Sequence, residues 1–259
     1  MKLLVQVDDF ALTPGVTDGV ITAIRDGLCR ATGIFINQPW AEYALKRIEE
    51  YPECSLGIDI NVVCGPCTAD PKLLPTLVDQ ETGYFIPSKV RSQDPEWGKR
   101  DFYPEKEVFI EGCAQIEKFI RLTGKKPEYI QNHAVRYTKG YRPALRRLCE
   151  KYQVPYMDDI KEKYNIVALK KPENTDNYSF ECQMRDMTSE MLELLEQNQN
   201  LEYAFIPSHC GYMDRLLLDY SRYTYNRFQD LAMVTSPRIR KWCEDHQVQI
   251  LSIRDLSMD

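Results

Sequence analysis

The chain has 259 residues, 43% of them apolar and 28% charged, and a formal net charge of −6. That is enough chain for one large α/β core, with the composition of an ordinary folded domain. The acidic balance and the lack of a dense basic run argue against a nucleic-acid binder, and no stretch approaches the roughly 20 apolar residues of a membrane span.

The first element expected is a buried strand, Leu3–Val7, followed at once by the acidic pair Asp8 and Asp9. No basic, apolar and small-residue leader precedes it, so a cytoplasmic protein is expected. Adjacent carboxylates at the end of a core strand repel each other and lose hydration. They are tolerated where a cation or a proton-transfer role compensates. The next turn, Ala11-Leu-Thr-Pro-Gly15, lacks the glycine pattern of a phosphate-binding loop.

Further strands are predicted over Ala31–Asn37, Ser55–Val63, Tyr129–His133, Val154–Met157, Tyr203–His209 and Val248–Ile253. Helical periodicity marks Thr17–Leu28, Ala41–Tyr51, Glu105–Leu122, Tyr141–Tyr152, Ser189–Gln197 and Ser236–His246. Ser236-Pro237 is a good helix start, an N-cap followed by proline at the first helical position. About seven strands alternating with helices predict a parallel (β/α) barrel, with an open doubly wound sheet as the competitor. A single domain over 1–259 is expected, with a long loop or lid over about 64–104.

Nine cysteines in a chain without a leader read as reduced thiols. Cys64-Gly-Pro-Cys67 matches a redox motif, but Thr68-Ala-Asp-Pro follows it where a helix should start, so a loop is the preferred reading.

Polar residues at the carboxyl ends of the predicted strands define the candidate site: Asp8 and Asp9, Asn37, Asp59 and Asn61, Asn132 and His133, Ser208 and His209. Two of the three histidines fall there. The third, His246, ends a helix and suits a dipole-complementing role. Singly, each residue is better explained as structural; together they place Asp9, Asp59 and His133 on one rim, beside a spare carboxylate and a spare imidazole.

With these motifs in order, the chain resembles the YdjC/ChbG-type carbohydrate deacetylase family over nearly its full length. Val7-Asp-Asp-Phe-Ala-Leu-Thr-Pro-Gly-Val16 is similar to the family's opening motif, with Ala11 where glycine is usual. Cys29–Pro39, Leu77-Val-Asp79 to Gly83-Tyr-Phe85, Pro127–His133 and His209-Cys-Gly-Tyr212 resemble later motifs in the same order. Gly57-Ile-Asp-Ile-Asn61 stands where the family reads Gly-Leu-His-Leu-Asn, so Asp59 replaces a histidine.

The resemblance implies a distorted barrel related to polysaccharide deacetylases and hydrolysis of an acetyl group from an N-acetylated sugar or oligosaccharide. It implies Asp8 as general base, His209 as acid or transition-state stabiliser, and Asp9, Asp59 and His133 as metal ligands. With aspartate at position 59 the donor set is harder, which favours magnesium, with manganese or zinc as alternatives. Asn37, Trp40, Asn61 and Tyr212 are expected on the sugar, since sugar rings stack on aromatic faces beside a few polar groups. Tyr220–Phe228 can instead pack a loop or an oligomer contact, which leaves a homodimer open. A sugar-binding or regulatory relative without catalysis is the rival reading, motivated by Asp59.

Overall fold

The computed structural model describes residues 1–135, 139–170, 179–256 and 258. Its strands are β1 (Lys2–Phe10), β2 (Ala31–Ile34), β3 (Ser55–Ile60), β4 (Ile130–Asn132), β5 (Val167–Ala168), β6 (Tyr203–Ser208) and β7 (Gln249–Leu251). All pairings are parallel, in the order β4-β3-β2-β1-β6-β5. β7 pairs with the first residues of β1, and β2 pairs with the later ones. The sheet curls into an open half-barrel with β4 and β5 at its edges.

The helices are α1 (Pro14–Arg25), α2 (Ala41–Ile48), α3 (Ser88–Arg91), α4 (Glu105–Thr123), α5 (Tyr141–Tyr152), α6 (Met157–Lys163), α7 (Phe180–Gln183), α8 (Met187–Gln197), α9 (Leu217–Tyr220), α10 (Tyr225–Val234) and α11 (Pro237–Asp245). Local chemistry sets their ends. Thr13 caps α1 by accepting from the Val16 N–H at 3.2 Å, with Pro14 in the first turn. Gly124, at φ 71°, closes α4 in the left-handed conformation. Among the described residues no helix is long and apolar enough to cross a membrane.

Alternation along the strands separates two cores. Leu3, Val5 and Val7 face the helices with Ile34, Ile58 and Ile60. Leu4, Ala31, Tyr129, Phe205 and Leu251 fill the inside of the curl with Met157 and Ile160 of α6. Gly57 is required there, because a Cβ would sit 2.4 Å from the Tyr129 ring. Gln6 and Asp8 continue the phase of Leu4, so the inner face turns from apolar to polar toward the carboxyl ends of the strands.

One expected strand is not formed. Val154–Met157 gives only an isolated bridge from Tyr156 to Ile130 before α6 begins at Met157. Pro155 has no N–H for a ladder, which favours the turn. The two-residue β5, half-exposed, was too short to carry a period.

The stretch 64–104 is anchored rather than loose. Glu111 accepts from the Thr68 and Ala69 N–H groups at 2.9 Å each, and Glu107 from Thr76 and Leu77 at 2.8 and 3.1 Å. Phe85 is buried, while Tyr84 stays exposed. Lys89 donates to the Asp219 carbonyl at 3.1 Å, joining this wall to the segment after β6.

Candidate active site

The carboxyl end of β1 is distorted where the acidic pair sits. Its pairing with β2 shifts register between Val7 and Phe10, and Asp9 and Ala11 adopt positive φ of 68° and 72°. In a regular strand Asp8 and Asp9 would point to opposite faces; the bulge turns both toward the inner rim. Aspartate tolerates the left-handed region better than most residues, whereas alanine there costs about 1–2 kcal/mol.

Asp9 is buried and sits between two partners. Its Oδ2 accepts from Arg227 Nη2 at 2.6 Å, and its Oδ1 lies 3.3 Å from His133 Nδ1. Burial works against the charge, yet the guanidinium and then the imidazole hold the carboxyl well below the usual carboxylate range. Asp59 lies beneath. Its Oδ2 takes a long 3.4 Å bond from the Asp9 N–H, while its Oδ1 points at Gly33, where a Cβ would stand 1.7 Å away. Burial first, then the charges of Asp8 and Asp9, push the Asp59 carboxyl well above its ordinary value.

Asp8 is the open carboxylate. Its Oδ1 accepts from Gln6 Nε2 at 2.5 Å and Gln131 Nε2 at 2.8 Å, and its Oδ2 faces His209 Nε2 at 4.0 Å. The side chains of Asp8 and His209 are 22% and 38% exposed, against 3% for Asp9, so the pair reaches solvent while Asp9 is buried. Asp230 accepts from the His209 backbone N–H at 2.9 Å and from the Tyr223 hydroxyl at 3.2 Å, fixing the end of β6. Tyr141 plays the same part for β4, donating to the Ile60 carbonyl at 2.5 Å and accepting from the His133 N–H at 3.1 Å.

The structure thus brings Asp8, Asp9, Asp59, His133 and His209 together, and places the expected sugar contacts differently. Asn37 and Asn61, expected on the sugar, hold the Asn61–Pro66 turn in this structure. Asn37 Nδ2 donates to the Cys64 and Pro66 carbonyls at 3.1 and 3.0 Å. Asn61 Nδ2 donates to Asn37 and the Cys64 carbonyl, and its Oδ1 accepts from the Val63 and Cys64 N–H groups. Tyr212 also turns away: its hydroxyl donates to Thr22 Oγ1 on α1 at 3.2 Å, and its ring lies beside Phe228 of α10. Trp40, half-buried, precedes α2 at the same sheet edge as the site. Cys64 is buried within the asparagine cluster, and burial pushes its thiol up to about 12 and that of Cys67 to about 11, the opposite of an activated redox pair.

Whether the donors suit a divalent ion is tested by their unmet needs. Asp59 Oδ1 is buried and accepts no hydrogen bond, and buried Asp9 Oδ1 has only the His133 ring nitrogen beside it, at 3.3 Å. Such oxygens lose hydration without return unless a cation or proton meets them. Asp9 and His133 already stand together, so the corner fits a cation. The three-ligand set expected from the sequence is less complete: among the described residues no group of three His, Cys, Asp or Glu side chains stands ready to hold a metal ion. Two contacts explain this, the Arg227 guanidinium on Asp9 and the turn of Asp59 toward Gly33.

Sequence reading missed Arg227 and Lys161. Lys161 of α6 enters the curl with its ammonium 4.3 Å from the Phe205 ring centroid. Burial lowers its pKa against the opposing pull of Asp8 and Asp158. The available signal was helical: Tyr225–Val234 carries an arginine that the fold buries at 1% exposure.

Comparisons with known proteins cover the whole molecule. The chain is 26% identical over 262 residues to a carbohydrate deacetylase of Brevibacillus brevis, spanning 99% of this chain and 100% of that one. It is 28% identical over 238 residues to a carbohydrate deacetylase of Halalkalibacterium halodurans, spanning 91% and 95%. A crystal structure from Enterococcus faecalis, of a protein assigned to cellobiose-phosphate cleavage, superposes with a TM-score of 0.77 at 22% identity, covering 99% of both chains. The profile of the YdjC-like protein family matches residues 2–245, and with the curled parallel sheet and its acidic rim this chain belongs to that family.

Proposed function

We propose that this protein is a divalent-metal-dependent hydrolase that removes acetyl groups from N-acetylated sugars or oligosaccharides, with magnesium as the first candidate ion. One observation carries the reading. An open carboxylate and an open imidazole, Asp8 and His209, face each other at 4.0 Å directly above the buried Asp9–His133 corner. The names of the family relatives agree with it.

Asp9 and His133 would hold the ion, with Asp59 joining once its carboxylate turns from Gly33. When bound, the ion supplies polarisation of the acetyl carbonyl and charge opposite the developing oxyanion. Asp8, oriented by the Gln6 and Gln131 amides, takes a proton from the attacking water. His209 delivers a proton to the sugar nitrogen as the C–N bond breaks, giving acetate and the free amine. Trp40 and the exposed Tyr84 offer apolar faces for the sugar, with the anchored 64–104 stretch as a fixed wall of the cleft.

The test is acetate release from N-acetylglucosamine oligomers with added magnesium, manganese or zinc. Asp8→Asn is expected to lower turnover by about 10²–10⁴ while leaving Mn²⁺ binding intact. Equal loss of both would contradict the assignment of Asp8 as base. The engagement of Asp9 by Arg227 favours one rival, a sugar-binding relative, which predicts oligomer binding without acetate release.

A further inference from the structure

Arg227 is the largest fully buried side chain of the described residues, yet no part of the hydrolytic scheme uses it. Its guanidinium is fixed independently of Asp9. Nε donates to the Tyr223 carbonyl at 2.7 Å, and Nη1 reaches the His209 carbonyl at 3.5 Å. The absent side chain of Gly211 leaves room for its stem, since a Cβ there would lie 3.2 Å from Arg227 Cδ. Only Nη2 turns to Asp9, at 2.6 Å, on the oxygen opposite the one that faces His133.

We infer that Arg227 is a tethered counter-cation that sets the affinity of the Asp9–His133 corner for a divalent ion. The inference rests on the metal-dependent reading above. Because the Tyr223 and His209 carbonyls hold the guanidinium apart from Asp9, with Ser221 Oγ 3.5 Å from Nη2, a metal cannot easily displace it. Asp9 therefore offers an incoming ion a single oxygen, Oδ1, beside a resident positive charge. Both features weaken binding: one-oxygen ligation forgoes the chelate, and like charges a few ångströms apart in a partly dry site repel strongly. In return, the arginine keeps Asp9 charged and aimed when no metal is present. Arg227 is thus a positioning residue acting through Asp9.

The experiment is Mn²⁺ titration, read as free Mn²⁺ by electron paramagnetic resonance, on wild type, Arg227→Lys, Arg227→Gln and Arg227→Met. Thermal unfolding with and without 1 mM Mn²⁺ runs alongside. Removing the charge in the Met and Gln variants should tighten Mn²⁺ binding by about tenfold or more, and the Lys variant should stay near wild type. The metal-free Met variant should melt lower, since a buried carboxylate is left unpaired. Mn²⁺ should raise its melting temperature more than that of wild type, an effect that Asp9→Asn in the same chain abolishes.

A purely structural role predicts the reverse, weaker Mn²⁺ binding in every variant, and that result overturns the inference. Equal affinity in wild type and in the folded Met and Gln variants overturns it while leaving the hydrolase reading intact. Failure of Mn²⁺ to restore folding of a variant that is unfolded without it also overturns it. No Mn²⁺ binding by any form would remove the metal from both proposals, whereas acetate release reports on the hydrolase alone.

Discussion

Asp59→Asn isolates a buried carboxyl whose ionisation the fold opposes. The wild-type carboxyl is fully buried, its Oδ1 has no donor, and its pKa stands well above normal through burial and the charges of Asp8 and Asp9. In the unfolded chain an aspartate loses its proton near pH 4. The folded protein therefore holds a proton that the unfolded chain has released, and stability falls as pH rises toward the folded pKa. The slope is about 1.4 kcal/mol per pH unit while the folded acid stays protonated, so up to about 2.7 kcal/mol is lost between pH 5 and pH 7. Asp9 has the opposite shift, and its contribution is already complete above about pH 5, so it adds no slope in this window. Asparagine matches the shape of the protonated acid and cannot titrate. Urea unfolding of both proteins, without metal, at pH 5, 6 and 7 should show the variant gaining on wild type by up to about 2.7 kcal/mol across the range. The histidine contributions are common to both chains and cancel. Parallel pH profiles would refute the burial argument for Asp59.

Two further outcomes test the packing of the rim. Gly33→Ala should destabilise the fold by about 2–3 kcal/mol, because its Cβ would meet Asp59 Oδ1 at 1.7 Å. Adding Asp59→Ala should recover most of that loss in urea unfolding, whereas strictly additive effects would show that the two residues do not share the space. Cys64 and Cys67, with thiols pushed up to about 12 and 11, should label slowly with iodoacetamide at about pH 8 in the native protein. Rapid labelling of Cys64, or a 64–67 disulfide under mild oxidation in peptide mapping, would contradict an unactivated pair of which Cys64 is buried.

Much of the fold was legible along the chain. Apolar strand runs ending in polar residues identify one sheet edge, and that gathers Asp8, Asp59, His133 and His209, whose side chains lie near one another in the structure. Asn37 and Asn61 were gathered with them for the same reason, but a strand-end position does not say which way a side chain turns. Here the Asn61–Pro66 turn needed their amides to satisfy its own backbone. Tyr212 read as aromatic wall, and Tyr220–Phe228 as either wall or a packed loop or oligomer contact; Tyr225 onward folds into α10, which buries Asn226, Arg227, Gln229 and Asp230.

By itself, then, the order of residues determined the parallel β/α plan, the acidic pair and the histidines that meet it, because periodicity and strand ends are local properties. The ionic state of the site was decided only in three dimensions. Arg227 lies 218 positions from Asp9, and nothing local links them. It is the packing of α10 against the end of β6, with Gly211 making room, that places a positive charge on one oxygen of Asp9 and leaves the other facing His133.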